Sequence, residues 1–133
     1  MNYEDILEKL EEISIELESY NDYPDSASNN AKRAIEWKEK YGSDCGTRIG
    51  WTRAGQLARK ENISRDTIAR MASFKRHEQH ADVPYDEGCG GLMYDCWGGK
   101  SGVNWAIKKL DQIDKEKNKL DDRFKDYLNK YGC

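Results

Sequence analysis

Between Tyr85 and Ala106 the chain reads YDEGCGGLMYDCWGGKSGVNWA, and six of its eleven glycines (Gly88, Gly90, Gly91, Gly98, Gly99, Gly102) fall there beside Tyr85, Tyr94, Trp97 and Trp105. Glycine permits positive φ and close backbone approach. The chain is therefore expected to turn tightly near 88–91 and 98–102, with one short helix, about 91–97, between the turns. Only 37 % of the residues are hydrophobic and 35 % are charged, so a small core has to be closed by large side chains. Each aromatic buries about 150–250 Å². This predicts a structural corner in which Trp51, Trp97 and Trp105 fill a common junction and Gly98 and Gly99 make the bend.

The remaining sequence reads as charged helix. Tyr3, Ile6, Leu7, Leu10, Ile13, Leu17 and Tyr20 recur at three- and four-residue steps, the stripe of an amphipathic helix. Pro24 breaks it, and Ser26 or Ser28 is placed to cap a second helix over 29–41 with Ala31, Ala34, Ile35 and Tyr41 inward and Gly42 as its stop. Trp37 lies off that stripe. Thr47 caps a helix to about Lys60 with Ile49, Ala54, Leu57 and Ala58 inward. Ser64 caps another over 65–79 with Ile68, Met71, Ala72 and Phe74 inward. From a cap at Ser101 a long helix runs to about 129, its stripe Val103, Ala106, Ile107, Leu110, Ile113, Leu120, Phe124 and Tyr127 or Leu128. No segment alternates as a strand does. The expected fold is all-α: a compact multi-helix domain with a helix-turn-helix-like pair and long amphipathic terminal helices. Its parts are an acidic helix over 1–22, a helical module over 23–110, and the continuation of the last helix over 111–133. Each terminal helix has one thin apolar stripe, so the two either pair as an antiparallel hairpin or pair between chains as a homo-oligomer.

Charge is unevenly placed. Residues 1–30 carry net −8 and residues 46–80 net +5, within an overall charge of −3. The acidic end suits a basic target, and the basic middle suits an acidic protein or nucleic acid. No apolar run approaches the roughly 18 residues of a membrane span. The acidic start, MNYEDILEKL, is unlike a signal peptide, so Cys45, Cys89, Cys96 and Cys133 are expected to be reduced thiols.

Motifs for chemistry are weak. GGKS at 98–101 resembles the end of a phosphate loop, but that motif needs glycine where Tyr94 stands. His77 and His80 with Cys89 and Cys96 raise zinc, yet only the histidines form a tight pair, and no metal, cofactor or catalytic residue is assigned. The strongest local signal is RAGQLARKENISRDTIARMASF, residues 53–74, which has the cadence of a helix-turn-helix. In that motif the start of the second helix faces the major groove. The contact candidates are Arg53, Arg65, Thr67, Arg70 and Arg76, with Trp37 as an aromatic anchor. The turn lacks its usual glycine, Asn62 being the nearest substitute.

The set YPDSASNNAKRAIEWKEKYG, CGTRIGWTRAGQLARKENIS, TIARMASFKRHEQ, YDEGCGGLMYDCWGG and GVNWAIKKL, spanning about residues 23–110, resembles a small helical module of tailed-phage and prophage proteins. That module also occurs attached to head-maturation proteases. The resemblance implies a phage or prophage product in the host cytoplasm or virion, with a non-enzymatic accessory role. It defines no catalytic residues. The expected activity is binding to another protein, a virion component or host factor. The alternative is duplex-DNA binding through residues 48–76.

Overall fold

The computed structural model describes residues 2–8 and 19–131. Its elements run α1 (described over residues 3–8), β1 (Ser19–Tyr20), α2 (Asp25–Tyr41), α3 (Arg48–Ala58), β2 (Ile63–Ser64), α4 (Arg65–Ser73), a 3₁₀ helix η1 (Phe74–His80), α5 (Gly90–Cys96) and α6 (Gly99–Tyr131). The domain is all-α apart from one antiparallel two-residue ladder, Ser19 opposite Ser64 and Tyr20 opposite Ile63. That ladder is too short to produce an alternating pattern. It ends the predicted first helix before Tyr20, and Leu10, Ile13 and Leu17 lie outside the described residues.

Helix α2 starts at Asp25, four residues before the expected 29. Pro24 occupies the N-cap with ψ 152°, its carbonyl accepts from the Ala27 N–H at 3.0 Å, and Asp25 complements the helix dipole. Neither serine caps it. The Ser26 hydroxyl donates to that of Ser101 at 2.8 Å, and Ser28 is buried inside the helix. Ser101 accordingly sits within the first turn of α6 and is not its cap. Ala27, Ala31 and Ala34 are fully buried at four- and three-residue steps, giving α2 a flat face that neighbours approach closely. Gly98 and Gly102 use it: a Cβ on Gly102 would come within 3.1 Å of Ala27 Cβ and 3.3 Å of the Trp97 carbonyl oxygen.

Thr47 and Ser64 cap α3 and α4 as expected, accepting from Gly50 N at 3.1 Å and Thr67 N at 3.3 Å. Between them Lys60 takes the left-handed position at φ +59°. Lys60 N donates to Leu57 O and Glu61 N to Gln56 O, the paired bonds of a Schellman stop. The missing turn glycine is thus replaced by lysine, not by Asn62. The Lys60 ammonium reaches the Tyr23 carbonyl, pairs with Asp25 at 3.2 Å and covers the Tyr23 ring at 4.7 Å. Tyr23, itself buried, donates to the Glu61 carbonyl at 2.7 Å; burial and Glu61 push its hydroxyl up to about 12.

The core lies where α4 and α6 meet α2 and α3, with Leu57, Ile68, Met71, Leu92, Val103 and Ala106 buried. Three inward assignments fail: Tyr41, Ile49 and Ile107 are exposed. The predicted helix over 65–79 is α-helical only to Ser73, whose hydroxyl donates back to the Arg70 carbonyl at 2.6 Å, and continues as η1.

Candidate functional site

The segment whose sequence has a helix-turn-helix cadence forms α3 and α4, and its charges are placed as follows. Arg65 opens α4 with both guanidinium–carboxylate bonds made to Asp114 of α6, Nε to Oδ1 at 2.8 Å and Nη2 to Oδ2 at 3.0 Å. This pairing holds the Asp114 carboxyl below its ordinary range. Thr67 is 2 % exposed, its amide and hydroxyl turned to Ser64, so it leaves the set of surface contacts. The inward face of α4 is Thr67, Ile68 and Met71, packed toward α6. Its outward face is Asp66, Arg70 and Ser73, one acid and one base. A groove-reading helix needs its first turn free; here α6 occupies that side.

Arg53 is half-buried, with Nη1 donating to Gln56 Oε1 at 3.0 Å and Nε buried without a partner. Arg76 is exposed and donates to His77 Nε2 at 3.2 Å. The neighbouring bases are spread among carboxylates: Arg59 on Glu61, Lys60 on Asp25, Lys75 on Glu78. The structure does not gather the predicted arginines on one face.

The indoles each meet a different partner. Trp37 stacks on Tyr41 at 4.2 Å and meets Tyr85 edge-on at 5.7 Å. Trp97 packs on Phe74 at 5.3 Å, and Trp105 on Tyr23 at 5.5 Å. Trp51 donates from Nε1 to the Cys45 carbonyl at 2.9 Å beneath the Lys38 ammonium at 4.4 Å. The three indoles of the expected corner thus have different ring or hydrogen-bond partners, while all of them pack in or against one core cluster. The glycine bend stands as expected. Gly98 and Gly99 have φ +99° and +66°, and Asn30 Nδ2 donates to the Gly98 carbonyl at 2.9 Å.

Beside this bend is Asp95. Its carboxylate accepts from the Tyr85 hydroxyl and lies 4.0 Å from Arg33. Burial nevertheless raises its pKa, Tyr85 and Arg33 opposing the shift. Tyr85 is raised in turn, by burial first and then by its bond to Asp95.

Two of the four cysteines overturn the expectation of reduced thiols. Cys45, in the α2–α3 turn, is disulfide-bonded to Cys89, just ahead of α5, with Cα atoms 5.6 Å apart. The residues are 44 apart in sequence, and no short spacing announces the pair. Cys96 is a buried free thiol pushed up to about 12 by burial and Asp95; Cys133 lies outside the described residues. The cystine separates two clefts. One, of about 510 Å³, is lined by Lys38, Asp44, Arg48 and Trp51. The other, of about 430 Å³, has apolar walls of Phe74, Met93 and Trp97 and is edged by His77, His80 and Cys89. Among the described residues, no group of three or more His, Cys, Asp and Glu side chains stands ready to hold a metal ion, and no helix is long and apolar enough to cross a membrane.

The surface that sequence reasoning undervalued is the far half of α6. Val103, Ala106 and Ile113 of its stripe are buried, but Leu120 is 64 % and Phe124 37 % exposed; the side chains of Tyr127 and Leu128 lie outside the described residues. All residues from 115 to 126 are exposed. The heptad spacing from Ile113 to Leu120 was the available signal. The chain matches no protein-family model, no curated protein and no solved structure.

Proposed function

We propose that the protein acts by binding another protein, as a non-enzymatic accessory product of a phage or prophage, and that the far half of α6 is its contact arm. The supporting observation is one apolar stripe that is buried at Val103, Ala106 and Ile113 and runs on to exposed Leu120 and Phe124. An amphipathic helix gains most of its stability from tertiary packing of its apolar face, so a stripe continuing past the body suits a partner helix. Over residues 115–126, Lys115, Lys117, Lys119, Arg123 and Lys125 alternate with Glu116, Asp121, Asp122 and Asp126 for a net charge of +1, a slight lean toward an acidic partner. Residues 3–20 have that composition, with seven acids and one base, so a second copy is the first partner to test. The duplex-DNA alternative has less support, because the first turn of α4 is tied to α6.

The experiment compares wild type, Leu120→Asp/Phe124→Asp and Arg70→Glu/Arg76→Glu. Sedimentation measures self-association, and capture from phage-infected cell extract identifies other partners. The reading expects the α6 variant to lose self-association or its dominant captured protein, while the arginine variant keeps both. Equal behaviour of wild type and the α6 variant overturns it. A duplex-DNA shift that weakens steeply with salt, lost in the arginine variant, replaces it with the alternative.

A further inference from the structure

The disulfide and the histidines of η1 occupy one place. His77, His80 and Cys89 edge the same cleft, and Cys45 is bonded to Cys89. His80 is held against the start of α5 so closely that a Cβ on Gly90 would come within 2.7 Å of both its Cβ and its carbonyl oxygen. We propose that reduction of the Cys45–Cys89 disulfide turns this cleft edge into a Cys₂His₂ site for a divalent zinc-like ion, with Cys45, Cys89, His77 and His80 as ligands.

The geometry of η1 removes the objection that two intervening residues are too few. On an α-helix, histidines four apart bind one zinc across a rise of about 6 Å. On a 3₁₀ helix, residues three apart are eclipsed and also separated by about 6 Å. The spacing His77-x₂-His80 in η1 (Phe74–His80) is therefore the 3₁₀ equivalent of that pair. Both imidazoles are exposed, and their Nε2 atoms meet the surface groups Arg76 Nε and Gln79 Nε2, each at 3.2 Å. The backbones of the cysteines are also placed. Two thiolates on a tetrahedral zinc at about 2.3 Å stand roughly 3.7 Å apart, a separation the existing Cα spacing of 5.6 Å accommodates. In the disulfide form the two sulfurs are bonded to each other, which leaves only the two imidazoles as donors there.

The chemistry balances with a dithiol reductant. One of its thiolates attacks a cystine sulfur, and its second thiol displaces the mixed disulfide and closes its own ring. Two electrons and two protons pass to Cys45 and Cys89. Binding of the ion then releases those two protons as the thiols become thiolates. The site exchanges one cross-link between the α2–α3 turn and α5 for another that also ties η1.

The test uses the full chain and cobalt(II) as probe. After air oxidation, thiol counting should show Cys45 and Cys89 joined, and cobalt should give no thiolate charge-transfer band. After reduction with a phosphine and anaerobic desalting, one equivalent of cobalt should give that band with tetrahedral d–d absorption, and zinc should abolish both. Losing a ligand costs no less than the roughly 10–100-fold that losing an outer-shell partner costs, so His77→Ala/His80→Ala should weaken cobalt at least tenfold. Those positions are exposed, and helical circular dichroism confirms that the variant folds. Cys133→Ser should change nothing. Failure of the disulfide to form, absence of the band in the reduced chain, or a band indifferent to the histidine pair each overturns the proposal.

Discussion

Arg65 at the head of α4 and Asp114 in the middle of α6 are joined by two parallel hydrogen bonds of 2.8 and 3.0 Å. The same contact pins the start of α4 to α6. Asp114 has its pKa lowered by the hydrogen bond from Arg65. Its contribution is therefore complete above the ordinary carboxylate value and is lost as pH falls through the lowered value. Thermal melts of wild type and Asp114→Asn should differ at neutral pH and converge in acid. Because both side chains are more than a third exposed, the difference should be small and should shrink with added salt.

Much of this architecture was legible in the sequence because it rests on local chemistry. Thr47 and Ser64 cap their helices, Gly42 ends α2, and Gly98–Gly99 make the bend, since each depends on a few neighbouring residues. What was not legible depends on contacts between distant residues. Cys45 meets Cys89 only because α5 folds back beside the α2–α3 turn. Thr67 looked like a contact residue by position in a motif, but a β-branched side chain one turn before Met71 faces inward once α6 lies against α4. The apolar stripe of α6 was read correctly as a pattern, and only the structure showed where the body beneath it ends.

The Cys45–Cys89 cross-link closes a long loop, and its chief effect is on the unfolded chain. Reduction should lower stability by about 2–4 kcal/mol, or a Tm fall of ~10 °C for a chain this size. Mass spectrometry of the denatured, alkylated protein should find two additional modified cysteines after reduction. Metal should be removed with chelator beforehand, so that a cross-link of a different kind does not mask the loss.

The Tyr85 hydroxyl donates to the half-buried Asp95 carboxylate. Asp95 has its pKa raised, chiefly by burial, so the folded state holds its proton longer than the unfolded chain does. Its effect on stability is most favourable below the ordinary value of 3.8 and declines as pH rises toward the raised folded value. Tyr85→Phe removes a donor that opposes this shift. The folded pKa should move further up, and stability at neutral pH should fall by about 1–3 kcal/mol. Carboxyl NMR titration of Asp95 in both proteins measures the shift directly. An unchanged titration would show that the hydroxyl does not bear on the carboxylate.

Gly91 and Gly42 separate the two reasons a chain uses glycine. Gly42 has φ +75° with open space where a Cβ would stand, so Gly42→Ala should cost only backbone strain, about 1–3 kcal/mol. Gly91 lacks positive φ, but its Cβ would fall inside the Val83 carbonyl oxygen and 3.2 Å from that of Ala81. Backbone cannot give way as a flexible side chain can, so Gly91→Ala should reach or exceed the upper end of the ~1–3 kcal/mol overpacking range. The two also differ in where the damage lies. Gly91 seats α5 on the turn after η1, so its substitution should speed amide exchange across residues 80–92, whereas Gly42→Ala should leave that segment protected. Equal protection of residues 80–92 in both variants would mean that the close approach of α5 to residues 81–83 is not what orders the turn.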